Sequence, residues 1–210
     1  MITQYRSLRD SAEIEYIEKK SRFIGVAAPL QNTKEAEAFV QKQRERFPDA
    51  THHVFAWIII KPQRIQRFSD AGEPQGTAGL PVFDVLDKQD LVQAGIVIVR
   101  YFGGIKLGAG GLVRAYGKAA SLAVEKAKPI IWQNHRLFHL TCDYTYAEKV
   151  RYQLELLNYH QLEIEYTDQV SWQVAVEPTE EERFLILLKD LTSDKIKVEK
   201  GKMQEFPISE

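Results

Sequence analysis

Cysteine is almost absent. Cys142 stands alone among 210 residues, so the chain can form no internal disulfide and no multi-cysteine zinc site. It falls in "LFHLTCDY", which reads as a strand, and a buried structural thiol is expected there. Long apolar runs are missing too. The longest, "VFAWIII" at 54–60, has seven residues, whereas a membrane-crossing helix needs roughly 20. The opening "MITQYRSLRD" has no apolar signal core, so the expected location is the cytoplasm, with no membrane partner. No H-x-H pair and no G-x-S-x-G occurs, and the H-x-x-x-H of His135 and His139 runs into an expected strand rather than a helix, so local sequence supports neither a metal centre nor a hydrolase triad. Nothing in the pattern calls for a cofactor. Overall charge is lacking as well, at −1, so the chain does not advertise nucleic acid by net basicity.

What is present is an ordinary globular composition, 44% hydrophobic and 27% charged, with an uneven charge distribution. Residues 1–128 carry 19 Lys+Arg against 14 Asp+Glu, and residues 129–210 carry 9 against 15. That asymmetry suggests two units with different electrostatic roles, or two independently soluble domains whose charges drifted apart. Pro129 marks the expected boundary, giving domains at 1–128 and 129–210.

In the first domain, "EIEYIEKKSRFIGVAAPL" alternates polar and apolar side chains and reads as two strands around a Lys19-Lys20 turn. Thr33 is placed to cap a helix through "KEAEAFVQKQRERF", which Pro48 stops. "THHVFAWIIIKP" and "IQRFSD" read as a hairpin and "LPVFDVLDKQ" as a helix. "AGIVIVRYF" reads as a strand covered on both faces, followed by the helix "GLVRAYGKAASLAVEKAK". The second domain reads βαββαβ, the ferredoxin-like split-βαβ order, with Thr179 placed to cap its second helix. The fold class is therefore α+β, with an α/β first domain.

Ten of the twelve glycines lie between Gly72 and Gly117. They fall mainly in two loops, "DAGEPQGTAG" at 70–79 and "FGGIKLGAGG" at 102–111, each leading into an expected helix. Helix N-termini present unpaired N–H groups and partial positive charge, which suits anions. The second loop is not a P-loop: Gly103 and Gly108 have the spacing, but Ala109-Gly110 stand where Lys-Ser/Thr belongs. It is a poor dinucleotide fingerprint too, since Val113 replaces the last glycine.

What it does have is cations. Arg100, Lys106, Arg114 and Lys118 meet no acid between Val99 and Leu122. An anion, or an acid from the other loop, would relieve their repulsion. With Gly104, Gly108 and Gly110 they form a candidate anion or nucleic-acid surface, and Tyr101, Phe102 and Tyr116 offer stacking faces. The bland alternative points Leu112 and Tyr116 inward and leaves Arg114 and Lys118 solvated. The D-x-x-E spacing of Asp70 and Glu73 admits three readings: support of a hard cation, general-base chemistry beside His52 or His53, or pairing with loop backbone or nearby cations. His52 and His53 are adjacent on a strand, point to opposite faces, and cannot share a metal.

"KKSRFIG" (19–25), "HHVFAW" (52–57), "SDAGEPQGTAG" (69–79) and "VIVRYFGGIKLGAGGLVRAYGKA" (97–119) resemble, in order, the hallmark segments of the IMPACT family, whose bacterial members are called YigZ-like. The resemblance covers residues 1 to about 128. It implies an N-terminal fold like the second domain of a small-subunit ribosomal protein, and a C-terminal domain like the ferredoxin-like last domain of elongation factor G. It also implies a link to regulation of translational initiation. The resemblance further implies that eukaryotic relatives compete for the activator of a stress kinase and carry an extra N-terminal domain, which this chain is expected to lack. The residues carried over as a shared surface are Arg22, His52, His53, Asp70, Glu73, Arg100, Lys106 and Arg114. Three functional expectations follow. The first is a non-enzymatic translation factor that meets RNA or the ribosome, or a translation-associated protein, through its basic glycine-rich face. The second is an enzyme holding a phosphorylated small molecule or nucleotide between the two loops. The third is a purely protein–protein regulatory module. No residue is assigned as catalytic, and the oligomeric state is left open.

Overall fold

The computed structural model describes residues 3–208. Its elements, in chain order, begin with β1 (Gln4–Leu8), β2 (Ala12–Glu18), β3 (Ser21–Pro29), α1 (Thr33–Arg46), β4 (His52–Ile59) and β5 (Ile65–Ser69). They continue with α2 (Gly79–Lys88), β6 (Ala94–Tyr101), α3 (Ala109–Ala127) and β7 (Pro129–Cys142). The last are α4 (Tyr144–Leu156), β8 (His160–Tyr166), β9 (Val170–Val176), α5 (Glu181–Thr192) and β10 (Lys197–Ile208). The class is α+β. Two compact units emerge, one built on Tyr5–Ile131 and the other on Trp132–Phe206. Among the described residues no helix is long and apolar enough to cross a membrane.

In the first unit an antiparallel sheet runs β2-β3-β6-β4-β5. β6 is its centre, and the run "AGIVIVR" is buried throughout because helices cover both sides of the sheet. Alternation sorts its side chains. Ile96 and Ile98 join Phe23, Leu112, Tyr116, Ala119 and Ala123 in the core under α2 and α3. Val97 and Val99 join Ile24, Val26, Val40 and Trp57 in a second core under α1. α3 lies close on the sheet because its inward stripe is mostly alanine, with Ala115, Ala119, Ala120, Ala123 and Ala127 all buried. Gly25 sits beneath it, where an added Cβ would lie 3.1 Å from the Ala119 carbonyl oxygen.

The second unit follows the expected βαββαβ order. β7, β9 and β8 pair in that sequence, and β10 also pairs with β7. Phe138, Leu140, Val150, Leu154, Trp172, Val174, Phe184 and Leu188 form its core, and Cys142, 1% exposed, belongs to it. Burial, then the neighbouring Asp143 charge, raises the Cys142 thiol, which fits a structural role. Two cap assignments move. Asn32, not Thr33, caps α1, its Oδ1 accepting from the Glu35 N–H at 2.9 Å. α5 starts one residue later than Thr179 would require, with Glu180 at its N-cap and no side-chain cap bond.

Candidate functional site

The sheet decides which candidates meet. His52 is paired with Arg100, and Arg100 with Phe23, so all three face α2 and α3. Arg22 and His53 stand one register position away and face α1. Arg22 is exposed, held by Glu15 at 2.8 Å and lying over Tyr101 at 5.6 Å. His53 is fixed by its Nε2, 2.9 Å from the Phe47 carbonyl oxygen at the end of α1. The four strand residues among the eight expected to share one surface are therefore divided between opposite faces of the sheet, a consequence of the two-residue strand period.

The first loop closes on itself. Asp70 Oδ1 accepts from the Ala78 and Gly79 N–H groups at 3.0 and 2.8 Å, and Oδ2 accepts from Gly76 at 2.9 Å. Burial alone would raise this carboxyl, but the three N–H bonds outweigh it and hold the pKa below the ordinary value of 3.8. Asp70 supplies what Ala78, at the N-cap position, cannot. The N-terminus of α2, expected from sequence to suit an external anion, thus already holds an internal one. A carboxylate occupied in this way is a weak proton acceptor, so the general-base reading of Asp70 loses its support.

The same loop sends Glu73 inward. Its Oε1 accepts from Arg100 Nη1 at 2.5 Å and from the Tyr116 hydroxyl at 2.7 Å. Both partners of the ion pair are deeply buried, with side chains 5% and 4% exposed. Arg100 Nη2 donates to Ser21 Oγ at 3.2 Å, and the guanidinium lies between the Phe23 and Phe102 rings, 5.4 and 5.5 Å from their centroids. His52 donates from Nδ1 to the Ala71 carbonyl at 2.9 Å, which turns Nε2 toward Glu73 Oε1, 3.8 Å away. Burial, then the charge and hydrogen bond of Glu73, push the Tyr116 phenol far above its ordinary range.

Two expectations change here. Arg100 is not an exposed anion-binding cation but the buried partner of an acid from the other loop. Tyr116, fully buried, is no stacking platform. Both follow from the same cause: a charge drawn into an apolar core must be paired, and Glu73 is the acid in reach.

The second loop has no such internal acid. α3 starts at Gly108 (φ 71°), without a side-chain cap and without an acid in its first turn. Gly110 is exposed in that first turn, and Gly104 is exposed in the loop. Lys106, Arg114 and Lys118 are all exposed, and none makes an ion pair among the described residues. Leu112, 6% exposed, points inward, so α3 has the amphipathic orientation of the bland alternative, with its cations in solvent. Phe102, 48% exposed, and the partly buried Tyr101 keep aromatic surface beside the loop.

A groove of about 420 Å³ runs between α2 and α3, with Leu80, Pro81, Val85, Val113, Gly117 and Ser121 among its lining. Asp70, Glu73 and the two histidines do not line it. No group of three or more metal-ligating side chains occurs among the described residues. Sequence reasoning missed Ser21 and the hydrogen bond from Tyr116 to Glu73, although one of its alternatives turned Tyr116 inward. Only the register, which puts Ser21 at a strand start beside Phe23, would have signalled the former.

Comparison with known proteins places this geometry in a family. Residues 19–124 match the family model described as the Impact N-terminal domain. Residues 140–195 match one described as a domain of unknown function. The chain is 36% identical over 203 residues to the IMPACT family member YvyE of Bacillus subtilis, covering 97% of this chain and 94% of that one. It is 46% identical over 110 residues to the IMPACT family member YigZ of Escherichia coli, covering 51% and 54% of the two chains. A crystal structure described as that of a hypothetical protein matches with a TM-score of 0.62 and 29% identity, over 96% of this chain and 99% of that one.

Proposed function

The chain belongs to the IMPACT family, and from that premise we propose that it is a non-enzymatic accessory factor of translation that binds RNA through the second glycine loop and the start of α3. The observation that carries this reading is the division of labour between the loops. The acids of the first loop are consumed internally, while Lys106, Arg114 and Lys118 stand exposed along a segment with no acid from Val99 to Leu122. Exposed cations with adjacent aromatic surface suit phosphate contact and base stacking. The two acids on which the enzyme reading relied are already engaged: Asp70 accepts three backbone N–H groups and Glu73 is buried against Arg100. That supports binding over catalysis.

The test is titration of a labelled single-stranded RNA at several salt concentrations. Affinity should fall as salt rises, with a logarithmic slope of about −0.7 per phosphate contact. Lys106→Glu with Arg114→Glu should abolish most of that affinity while thermal unfolding stays unchanged. Undiminished binding by the double variant would show that RNA, if bound, is bound elsewhere.

A further inference from the structure

The hairpin joining β2 to β3 carries a feature that its packing does not explain. Glu18 pairs with Ser21, so Lys19 and Lys20 form a two-residue turn. Both have positive φ, 45° and 65°. A two-residue turn with both central residues in the left-handed region is the type for which Asn-Gly is preferred, because a Cβ is crowded there. Lysine at both positions is a strained choice, and both side chains are exposed, so no buried contact compensates.

The turn is also locked to the second glycine loop. A Cβ on Gly103 would lie 2.0 Å from the Lys20 carbonyl carbon, so only glycine lets the two backbones meet. Ser21, fully buried, accepts from the Gly103 N–H at 3.2 Å and from Arg100 at 3.2 Å. Turn and loop are therefore packed backbone to backbone, with Lys19 and Lys20 beside the start of the loop that carries Lys106.

We propose that the Lys19–Lys20 turn is a second phosphate-contacting element of the RNA surface, its unfavourable backbone retained for the two charges that it presents. This rests on the RNA reading above and extends it from α3 to the β2–β3 hairpin. Substituting Lys19→Asn together with Lys20→Gly separates charge from structure, because it installs the turn that the backbone favours.

The double variant should melt about 5 °C higher than the parent chain. It should bind a labelled single-stranded uridine oligonucleotide about tenfold more weakly at low salt, with the salt slope shallower by about 1.4. Lys19→Arg with Lys20→Arg should keep both affinity and slope. A stabilised Asn-Gly variant with the parent's affinity and slope would overturn the proposal and leave the Lys106–Arg114 reading standing. No gain in melting temperature would contradict the strain on which it is built. A parent chain that binds no RNA would remove both readings together.

Discussion

Two glycine-rich loops lead into two helices of the same unit, and they finish in opposite electrical states. The loop at 70–79 brings its own anion: Asp70 accepts three backbone N–H groups at the start of α2. The loop at 102–111 brings none, and α3 begins with no side-chain cap and with exposed cations along its first turns. A helix N-terminus favours negative charge in both cases. Whether that preference is met from inside the chain separates a structural loop from a candidate binding loop.

The strongest way to break the contrast is to remove the residue that ties the first loop to β6 and α3. Glu73→Ala leaves Arg100 buried without its counter-charge and should cost about 3–5 kcal/mol of stability, read from urea unfolding. Asp70→Ala removes three N–H acceptors from the first loop and should cost about 2 kcal/mol by the same measurement. Asp70 also makes the contrast sensitive to pH. Its folded pKa is depressed, so its contribution is fully present above the ordinary value of 3.8 and disappears as pH falls through the lower folded value. The melting-temperature gap between the parent and Asp70→Asn should therefore hold steady from neutral pH down to 3.8 and close below it.

A smaller effect is expected in the wall of the groove. Gly117 lies inside α3 where an added Cβ meets nothing within 4 Å, and Gly117→Ala should add about 1 kcal/mol through helix propensity alone. The smallest expected change in stability sharpens the comparison from the other side. Arg114→Glu, on the exposed face of α3, should shift unfolding by less than about 0.5 kcal/mol, because nothing in the fold depends on that charge.

Much of this was legible in the sequence wherever periodicity carried the information. "AGIVIVRYF" reads directly as the doubly covered strand that β6 is, and the alternation of "EIEYIEKKSRFIG" gives β2, β3 and the turn between them. The absence of acids from Val99 to Leu122 likewise singles out Lys106, Arg114 and Lys118, which stay exposed, but takes in the buried Arg100 with them. What sequence could not supply was partnership at a distance. Arg100 and Glu73 are 27 positions apart, and only the packing of the first loop against the end of β6 makes them a buried pair. In the sequence Arg100 looks like Lys106, a cation near glycines. The fold distinguishes them because the strand register turns Arg100 under α3, whereas the loop leaves Lys106 outside. Asp70 and Glu73 were open to several readings for a similar reason: their D-x-x-E spacing suits a hard cation or acid–base chemistry as well as it suits pairing with loop backbone or nearby cations, and the hydrogen-bond geometry favours the last.

The central claim is that the second loop, unlike the first, has cations available to an outside anion. It is tested most directly by the salt dependence of RNA affinity when Lys106, Arg114 and Lys118 are all replaced by alanine. The slope of log affinity against log salt should become shallower by about 2, near 0.7 for each cation removed. A slope identical to that of the parent chain would contradict the claim.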